Sequence, residues 1–503
     1  MSSGSIIFGK RNCSMEQVSA VAVRVAGGLK SLGIRQDDAV AIILRNDIPY
    51  FILHEASHYL DFDVVPVNWH LKPAEIEYLL QDCNAKAVVI HSDLLTGDLE
   101  GIIRDIHVIV VATPDGIPVV DNIGKSASHD FLRWEEWLER SPEFAPPDKK
   151  IRLPLFYTSG SSGRPKAVVR SNLTPEIGLK VNSRTRFAWG FDKSPVRSVM
   201  TGPLYHSAPN GYGNMVLQSG GVLVLTPRFD AEDLLALIER YEITHLHLVP
   251  TMFVRLLALP DEVRTRYRLD SLVHVTHGAA PCPTEVKRRM IDWWGDVIHE
   301  YYAMTETGII TCSTSSQWLE RPGTVGCPAP GVAIEIRDER GTRLKPLEEG
   351  IICVKHEGTD CVSYLNAQKA SGLHQNGFLV TGDIGYLDEE DFLFVSSRQS
   401  DMVISGGVNI YPAEIEAELL AMKNIADCAV FGIPDAEYGE RLVAVIEKQG
   451  SLSRTEVATY LKARLADFKV PKLYEFTEHL PREDSGKLKK QLIREDYLQK
   501  YGY

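Results

Sequence analysis

The sequence has few cysteines, and none of them is spaced for a metal or redox motif. Eight cysteines are scattered from Cys13 to Cys428 without a single CxxC pair. Zinc ribbons and thioredoxin-like redox sites need closely spaced cysteine pairs, so neither kind of site is indicated. We therefore expect reduced and mostly buried thiols.

The sequence also has no excess of positive charge and no long apolar run. Asp and Glu number 67 against 54 Lys and Arg, which gives a formal net charge of −13. Nucleic acids and anionic membranes attract chains rich in Lys and Arg, so we expect neither as a partner. No apolar run approaches the roughly 18 residues of a membrane span, and the N-terminal region lacks the apolar stretch of a signal peptide. We predict a cytoplasmic protein without an integral membrane segment.

What the sequence does contain is a regular alternation of short apolar strands with amphipathic helices. The first helix opens with a capping box formed by Ser14 and Gln17, and the strands "DAVAIIL", "DVVPVN" and "AKAVVIH" follow it. A second alternating run begins near Gly220. Short crossovers between apolar strands form right-handed units with helices on the sheet faces. We predict an α/β fold whose large N-terminal domain contains two doubly wound α/β layers.

The pattern changes twice in the second half of the chain. Between about residues 323 and 397, short strands alternate with Gly and Pro turns, which predicts a distorted β-barrel. The polar stretch at residues 396–401 lacks apolar periodicity and indicates a domain boundary. The last hundred residues alternate helices and strands, which predicts a small α+β domain that ends in a charged tail.

The loop "TSGSSGRPK", residues 158–166, has the composition of a phosphate-binding loop. Its glycines let the backbone approach an anion, and Lys166 adds a positive charge. The Walker A spacing GxxxxGK[ST] is absent, so the P-loop ATPase mechanism is not implied. A solvated turn has the same composition, and the loop alone leaves both interpretations open.

The segment "YYAMTETG", residues 301–308, follows an apolar strand and offers an aromatic ring, a hydroxyl and a carboxylate. Tyr302 could stack on a base, Thr305 could hydrogen-bond a phosphate, and Glu306 could hold Mg²⁺, which prefers hard oxygen ligands. A strand end followed by a polar turn explains the same residues equally well.

Two further segments place charged residues where a nucleotide could use them. Asp383 and Arg398 stand at opposite ends of a hairpin-like stretch, and a carboxylate suits ribose hydroxyls. Lys487 follows Ser485 and Gly486, a turn that could project the lysine into a distant cleft. A basic solvated tail is the alternative for this last segment.

Taken together, five motifs resemble those of the acyl- and aryl-CoA synthetases of the adenylate-forming superfamily. In chain order they are "YTSGSSGRPK", "YYAMTETG", "TGD", "SSRQSDMVISGGVNIYPAEIE" and "PREDSGK". Each is weak alone, but their joint occurrence in this order is specific, and the resemblance covers almost the whole chain. It implies that a carboxylate attacks the α-phosphorus of ATP, releasing pyrophosphate, and that the CoA thiol then displaces AMP. The implied cofactors and co-substrates are ATP, Mg²⁺ and coenzyme A.

The resemblance implies a role for each motif residue around the phosphates. The loop residues that would hold the departing pyrophosphate are Thr158, Ser159, Gly160, Ser161, Ser162, Gly163 and Lys166. Thr305 would contact the α-phosphate, and Glu306 would bind Mg²⁺.

The nucleoside would be held by three other segments. The adenine would lie between Tyr302 and the segment Gly278, Ala279 and Ala280. Asp383 would accept hydrogen bonds from the two ribose hydroxyls, and Arg398 would contact the ribose or a phosphate.

Lys487 would bridge the substrate carboxylate and the α-phosphate in the first step, which requires the domain that carries it to close. The resemblance divides the chain into an AMP-binding domain at residues 1–397, a hinge at 398–401 and a mobile lid domain at 402–503. Rotation of the lid would then bring Gly406 and Gly407 to the cleft, where they leave room for the pantetheine arm. Relatives commonly carry Asp or Lys at the pivot; here it is Ser400 or the following Asp401.

The acid pocket would be built around "PLYHSAPNGYGNM", residues 203–215. His206 would lie near the carboxylate entrance, although a histidine of the protein core is the alternative. The residues that would line the pocket are His206, Ala208, Gly211, Val249, Gly278, Tyr301, Ala303 and Met304. None is an Arg or Lys that could pair with a second carboxylate. We expect a hydrophobic monocarboxylic acid, either a medium or long fatty chain, an aromatic ring or a polycycle.

Two other functions stay open at this point. A stand-alone adenylating enzyme of the same fold would load the acyl group onto the phosphopantetheine of a carrier protein. A P-loop NTPase or other nucleotide-binding hydrolase would release ADP instead of AMP and pyrophosphate. The sequence also leaves open whether the chain forms a homodimer.

Overall fold

A computed structural model of the 503-residue chain describes most of its length. The described residues are 4–114, 117, 131–142, 144–158, 165–170, 174–193, 195–366, 374–398, 401–405, 408–435, 438–483 and 486–502.

The first third of the chain alternates strands and helices as the apolar pattern predicts. Its elements are β1 (Ser5–Phe8), β2 (Arg11–Ser14), α1 (Met15–Ser31), β3 (Ala39–Ile43), α2 (Ile48–Leu60), β4 (Asp63–Pro66), α3 (Pro73–Asp82), β5 (Ala85–His91), α4 (Gly97–Ile103), β6 (His107–Val111), β7 (Leu132–Arg133) and α5 (Trp134–Arg140). The predicted capping box is present, because Ser14 accepts a hydrogen bond from the Gln17 backbone and Gln17 accepts one in return.

The second alternating run is longer and surrounds the predicted motifs. Its elements are β8 (Phe156–Thr158), β9 (Lys166–Arg170), α6 (Pro175–Ala188), β10 (Arg197–Met200), α7 (Ser207–Gln218), β11 (Val222–Leu225), α8 (Ala231–Tyr241), β12 (His245–Leu248), α9 (Pro250–Leu257), α10 (Asp261–Arg264), β13 (His274–His277), α11 (Thr284–Trp294), β14 (Ile298–Met304), β15 (Gly308–Ser313) and α12 (Ser315–Glu320).

These elements form two α/β layers. One sheet is parallel throughout, in the order β4-β3-β5-β6-β7. The other, which has nine strands within the described residues, follows the order β16-β15-β14-β13-β12-β10-β11-β1-β2, where β16 is Cys327–Pro328. Side chains of both sheets and of α1 and α2 share one apolar core. The carboxyl ends of β10 to β14 therefore lie at one edge of a rigid, doubly covered sheet.

The β-rich unit predicted between residues 323 and 397 is an antiparallel sheet. Its strands are β17 (Ala333–Arg337), β18 (Gly350–Lys355), β20 (His374–Gln375), β21 (Phe378–Leu387) and β22 (Leu393–Arg398), and β19 (Val362–Tyr364) pairs instead with β9. The hairpin of β21 and β22 places Asp383 directly opposite Arg398. Two residues that are 15 positions apart in sequence thus become neighbours across a ladder.

A small α+β domain follows. Its elements are β23 (Val403–Ser405), β24 (Val408–Ile410), α13 (Pro412–Leu420), β25 (Ile425–Asp435), β26 (Gly439–Lys448), α14 (Arg454–Lys462), β27 (Leu473–Thr477) and α15 (Lys490–Tyr501). The predicted charged tail is wrong, because the residues after 489 form helix α15. Ile493 and Tyr497 lie four positions apart on this helix and are buried. Lys490 and Arg494 on the same helix are half-buried and contact Glu416 and the Gly432 carbonyl, whereas Glu495 and Asp496 are exposed.

The cysteines are unpaired, as the sequence predicts, but they are less buried than we expected. All eight are free thiols, and only Cys83, Cys353 and Cys428 are buried; the other five are half-buried. Within the described part of the chain, no helix combines the length and apolarity needed to cross a membrane.

Several histidines are buried in the large domain and are held neutral by their surroundings. Burial lowers the pKa of His299 on β14 to about 3, helped by the charges of Lys193 and Lys287. Burial also lowers the pKa of His247 on β12 to about 4 and that of His54 on α2 to about 3. An unfolded histidine has a pKa of about 6.5, so below that pH the unfolded chain binds protons that the folded chain does not.

We therefore expect the melting temperature to fall as the pH is lowered from 7.5 to 5.5. Below about pH 6.5, each such histidine lowers the free energy of unfolding by up to about 1.4 kcal/mol per pH unit. This decrease continues until the pH reaches the pKa of that histidine in the folded protein. His299→Gln should reduce the difference between the two melting temperatures, as calorimetry can measure. His479→Gln, at a side chain that is 89% exposed, is the control and should leave the difference unchanged. A melting temperature that is flat or rises on acidification would contradict this expectation.

Candidate active site

Glu306 is the acidic centre of the predicted phosphate site, and it is buried. It follows β14, and its Oε1 accepts hydrogen bonds from the Thr158 hydroxyl at 3.3 Å and the Tyr364 hydroxyl at 3.0 Å. The ammonium of Lys166 lies 5.5 Å from the centre of the Tyr364 ring. The structure thus brings Thr158, Lys166 and Glu306 together around Tyr364, a residue that the sequence motifs did not indicate.

A second residue missed by the motifs, Arg170, lies behind Glu306. It ends β9, and its guanidinium donates a hydrogen bond to the Thr305 carbonyl. Burial lowers the pKa of Arg170, and the neighbouring Glu306 carboxylate opposes that shift. The Thr305 hydroxyl is 3.2 Å from the Ser207 hydroxyl at the start of α7. Both peptide and side chain of Thr305 are therefore held in place by neighbouring segments.

Several predicted residues cannot be located in this way. Ser159, Gly160, Ser161, Ser162 and Gly163 of the loop, Ser400 of the hinge, and Gly406 and Gly407 of the lid lie outside the described residues.

The predicted nucleoside residues form one hydrogen-bonded group. Tyr302 donates its hydroxyl to Asp383 Oδ2 at 2.5 Å, and Arg398 Nε lies 3.2 Å from Asp383 Oδ1. Burial raises the pKa of the Asp383 carboxyl, while Arg398 and Tyr302 oppose that shift. The Asp383 backbone N–H is bonded to the Thr381 hydroxyl at 3.0 Å. The carboxylate of the "TGD" motif is therefore fixed beside an aromatic ring and a guanidinium.

The segment of Gly278, Ala279 and Ala280 follows β13 with an unusual backbone. Ala279 has a φ of 68°, in the left-handed region that residues with a Cβ rarely adopt. A Cβ on Gly278 would lie 2.7 Å from the Tyr301 ring, so only glycine allows this close approach. The chain thus turns sharply next to Tyr301 and Tyr302, which are adjacent on β14.

The predicted acid pocket has an aromatic back wall. A Cβ on Gly211 of α7 would be in van der Waals contact with Trp189, at 3.6 Å. The Tyr301 hydroxyl is 2.7 Å from His247 Nε2, and both side chains are buried. The remaining predicted residues at this site are Ala208 on α7, Val249 before α9, and Ala303 and Met304 at the end of β14. Trp189 and His247 were missed because their segments carry no recognisable motif.

Lys487 belongs to the small domain but lies at the site of the large one. The preceding Gly486 packs so closely that a Cβ would overlap the Thr251 hydroxyl and lie 3.1 Å from the Val249 side chain. Lys487 is exposed, but partial desolvation by neighbouring groups lowers its pKa, as does repulsion from Arg398, whereas Glu483, Asp401 and Asp383 favour its charged form. The lysine is thus placed within the field of the nucleoside residues Asp383 and Arg398.

We expect Tyr364→Phe to slow the adenylation step by about tenfold, because a hydrogen bond to a charged group contributes about 1.5 kcal/mol or more. The change removes only the hydroxyl that Glu306 accepts, and exchange of labelled pyrophosphate into ATP measures the effect. Tyr386→Phe is the matched control, since it also removes one tyrosine hydroxyl, from a ring that stacks on Phe394 with centroids 4.9 Å apart. Equal rates in the two variants would contradict a role for Tyr364.

Comparison with known proteins finds matches over nearly the whole chain. Residues 4–359 match the family model of the AMP-binding enzymes, and residues 414–487 match that of the AMP-binding enzyme C-terminal domain. The long-chain-fatty-acid–CoA ligase of Bacillus subtilis (strain 168) is 28% identical, covering 98% of this chain and 91% of that protein. The feruloyl-CoA synthase of Amycolatopsis sp is 30% identical, with coverage of 95% and 92%. The solved structure of o-succinylbenzoate CoA synthetase from Bacillus subtilis, in complex with its acyl-adenylate intermediate, matches with a TM-score of 0.82 at 27% identity and covers 97% of this chain and 95% of its own.

Proposed function

This chain belongs to the AMP-binding enzyme family and is an AMP-forming acid–CoA ligase, and on that premise we propose that its acid substrate is an apolar monocarboxylic acid. The reaction consumes ATP and CoA and passes through an acyl-adenylate. The site residues described above supply the physical basis for the first half-reaction in this proposal.

The first half-reaction has to bring two anions together. The substrate carboxylate must approach the α-phosphorus of ATP, and repulsion between the two opposes that approach. In our proposal the Lys487 ammonium lies between them, and the Thr305 hydroxyl donates to the α-phosphate. Preorganised charges of this kind stabilise the transition state by several kcal/mol in a site that excludes water. The cleft around Lys487, closed by Gly486 against Thr251, is the arrangement that this step needs.

The nucleoside half of ATP is recognised by the hydrogen-bonded group of Tyr302, Asp383 and Arg398. An ionised carboxylate accepts two hydroxyl donors well, and Asp383 is held beside Tyr302 for that purpose. The adenine would lie between the Tyr302 ring and residues 278–280. Lys166, with the loop residues before it, would bind the pyrophosphate that leaves.

Glu306 suits a magnesium ion that is shared with substrate phosphates. Mg²⁺ commonly uses one or two protein carboxylates together with phosphate oxygens and waters. Among the residues that the structure describes, no group of three or more His, Cys, Asp and Glu side chains forms a complete metal cage. A single buried carboxylate with hydroxyl neighbours fits an ion that arrives with ATP, and such an ion would neutralise charge on the phosphates.

The nature of the acid follows from the chemistry of the pocket wall. The observation that supports this proposal is the hydrogen bond between the Tyr301 hydroxyl and His247 Nε2. Each of these two polar atoms therefore has its partner within the protein. The Tyr301 ring and Trp189 then offer apolar surface to the acid. A pocket of this kind selects by shape, and it accommodates an aliphatic chain, an aromatic ring or a polycycle. The relatives named for long-chain fatty acids and for feruloyl-CoA support this range, whereas the relatives named for succinylbenzoate act on an acid with two carboxyl groups, which the substrate panel below tests.

The proposal is tested by assaying CoA consumption with a panel of acids at equal concentration. Medium or long fatty acids, aromatic acids and polycyclic acids should include the best substrates, measured as kcat/KM. Acetate and dicarboxylic acids should have a kcat/KM at least about tenfold lower. A small acid leaves the pocket wall uncovered, and none of the predicted wall residues is an Arg or Lys that could pair with a second carboxylate. A clear preference for acetate or for a dicarboxylic acid would overturn the assignment.

We further expect Gly211→Leu to lower kcat/KM for the best bulky acid by more than about tenfold while leaving the KM for ATP unchanged. The new side chain would fill the space in front of Trp189, and overpacking of this kind costs about 1 to 3 kcal/mol. Gly178→Leu is the matched control, because a Cβ at that helical position meets no atom within 4 Å. If both variants behave alike, Gly211 does not face the acid.

A further inference from the structure

We propose that Glu483 is a positioning residue for adenylation, which joins the lysine loop of the lid to His206 of the large domain and so holds Lys487 in the cleft. The lysine loop is defined here as residues 481–489, of which 484 and 485 lie outside the described part of the chain. The inference rests on the proposed role of Lys487 and concerns Glu483, a residue of the "PREDSGK" segment to which the sequence analysis assigns no role.

The lysine loop is a compact turn whose own hydrogen bonds link Glu483 to Lys487. The Glu483 N–H donates to the Lys487 carbonyl at 2.8 Å, and the Gly486 N–H donates to the Glu483 carbonyl at 2.8 Å. Gly486 has a φ of 79°, which this tight turn requires. A displacement of Glu483 would therefore also move the backbone of Lys487.

One end of the turn is fastened to the lid itself. Arg482 forms a bidentate ion pair with Asp427 of β25, with distances of 2.5 and 2.6 Å, and also donates to the Gly486 carbonyl. Bidentate pairs between arginine and carboxylate fix orientation as well as distance. The turn therefore moves with the lid as a unit, and its position in the cleft is set by contacts to the large domain.

The other end of the turn contacts the large domain through Glu483. Its Oε2 lies 3.7 Å from His206 Nε2, and the two side chains are 29% and 32% exposed. His206 immediately precedes Ser207, whose hydroxyl contacts the Thr305 hydroxyl at the phosphate site. The contact thus connects Glu483 of the lysine loop to the segment of His206 and Ser207, which contacts Thr305.

This contact exists only while the lid is closed on the site, so it favours the arrangement that the first half-reaction uses. A ligand or contact can shift a conformational equilibrium only by its differential interaction with the two states. Glu483 has such a difference, since rotation of the lid would separate it from His206. Removal of its charge should therefore slow adenylation and spare thioester formation.

The test is Glu483→Gln, measured separately in the two half-reactions. We expect pyrophosphate exchange to slow roughly three- to tenfold, as suits one polar contact between half-buried side chains, while the rate of thioester formation from synthetic acyl-AMP and CoA stays the same. Glu478→Gln, an exposed carboxylate elsewhere on the lid, is the matched control and should change neither rate. Equal losses in both half-reactions, or no loss in either, would overturn the proposal.

A double-mutant cycle with His206→Asn identifies the partner. If Glu483 acts through His206, the double variant should adenylate no more slowly than the slower single variant, whereas independent effects multiply. Multiplying effects would overturn the contact and favour a direct influence of the Glu483 charge on Lys487, which a shifted pH profile of Glu483→Gln would reveal. Lys487→Ala distinguishes a failure of the proposed role of Lys487 from a failure of the proposed role of Glu483. If that variant adenylates normally, the proposed function of the lysine fails; if it does not, and Glu483→Gln is normal, only this inference fails.

Discussion

Lys487→Ala is expected to slow formation of the acyl-adenylate by roughly 10² to 10³-fold, the usual cost of removing one preorganised group that stabilises developing charge. The lysine lies in the cleft with Asp383 and Arg398 in its field, where its ammonium can offset repulsion between a carboxylate and the α-phosphate. Thioester formation from synthetic acyl-AMP should fall far less, because that step needs no such bridge. Pyrophosphate exchange measures the first step and release of AMP from the synthetic adenylate measures the second.

The control for this variant is Lys489→Ala, two residues further along the same loop. Lys489 is exposed and its backbone N–H is bonded to the Pro481 carbonyl, so the substitution keeps the loop and removes an equal charge. It should leave both half-reactions within about twofold of the parent, as surface substitutions usually do. Equal losses of the two half-reactions in Lys487→Ala would contradict the assigned role.

Asp383→Asn is expected to lower kcat/KM for ATP by roughly 10²-fold, since hydrogen bonds to a charged acceptor contribute about 1.5 to 3 kcal/mol each. The substitution keeps the shape of the side chain and removes its charge, and it leaves Arg398 and Tyr302 without their ionised partner. The same variant should bind the apolar acid normally, because Asp383 belongs to the nucleoside group. Initial rates over a range of ATP concentrations measure the change.

An analogue of ATP that lacks both ribose hydroxyls supplies the control for Asp383. The parent enzyme should discriminate strongly against this analogue, and Asp383→Asn should discriminate weakly, because the carboxylate that reads the hydroxyls is gone. If the variant rejects the analogue as strongly as the parent does, Asp383 does not contact the ribose. In that case both nucleotides lose activity equally, and the melting temperature of the variant shows whether a structural defect causes the loss.

Much of the fold follows from local sequence patterns. Strands such as Ala85–His91 and helices such as Ala231–Tyr241 carry periods and caps that predict them directly. The hairpin of β21 and β22 even accounts for the pairing of Asp383 with Arg398, because antiparallel register brings the ends of a hairpin together. Helix α15 was mistaken for a tail because its few buried residues, Ile493 and Tyr497, are outnumbered by charged ones.

The site was less predictable, because its remaining residues come from segments that meet only in three dimensions. Tyr364 reaches Glu306 through the pairing of β19 with β9, two strands that are almost 200 residues apart. Arg170 looks like an ordinary strand residue until its burial against Thr305 is seen. Glu483 is one acid in a charged loop, and only the three-dimensional structure shows that His206, far away in sequence, is its neighbour. No periodicity or spacing in a single sequence reports such contacts.

The surroundings of the predicted pocket residues are likewise a property of packing. A Cβ on Gly278 would collide with the Tyr301 ring, and a Cβ on Gly211 would contact Trp189. Composition alone shows that these residues are small, whereas the structure shows which aromatic rings they face. The shape of that wall, and not a charged group, is therefore the property that we expect to select the acid.

Acid-dependent exchange of labelled pyrophosphate into ATP tests the central claim most directly. We expect exchange to require both the parent enzyme and an apolar monocarboxylic acid, and AMP to accumulate only when CoA is added as well. Exchange that proceeds without any carboxylic acid, or release of ADP and phosphate in place of AMP and pyrophosphate, would contradict it.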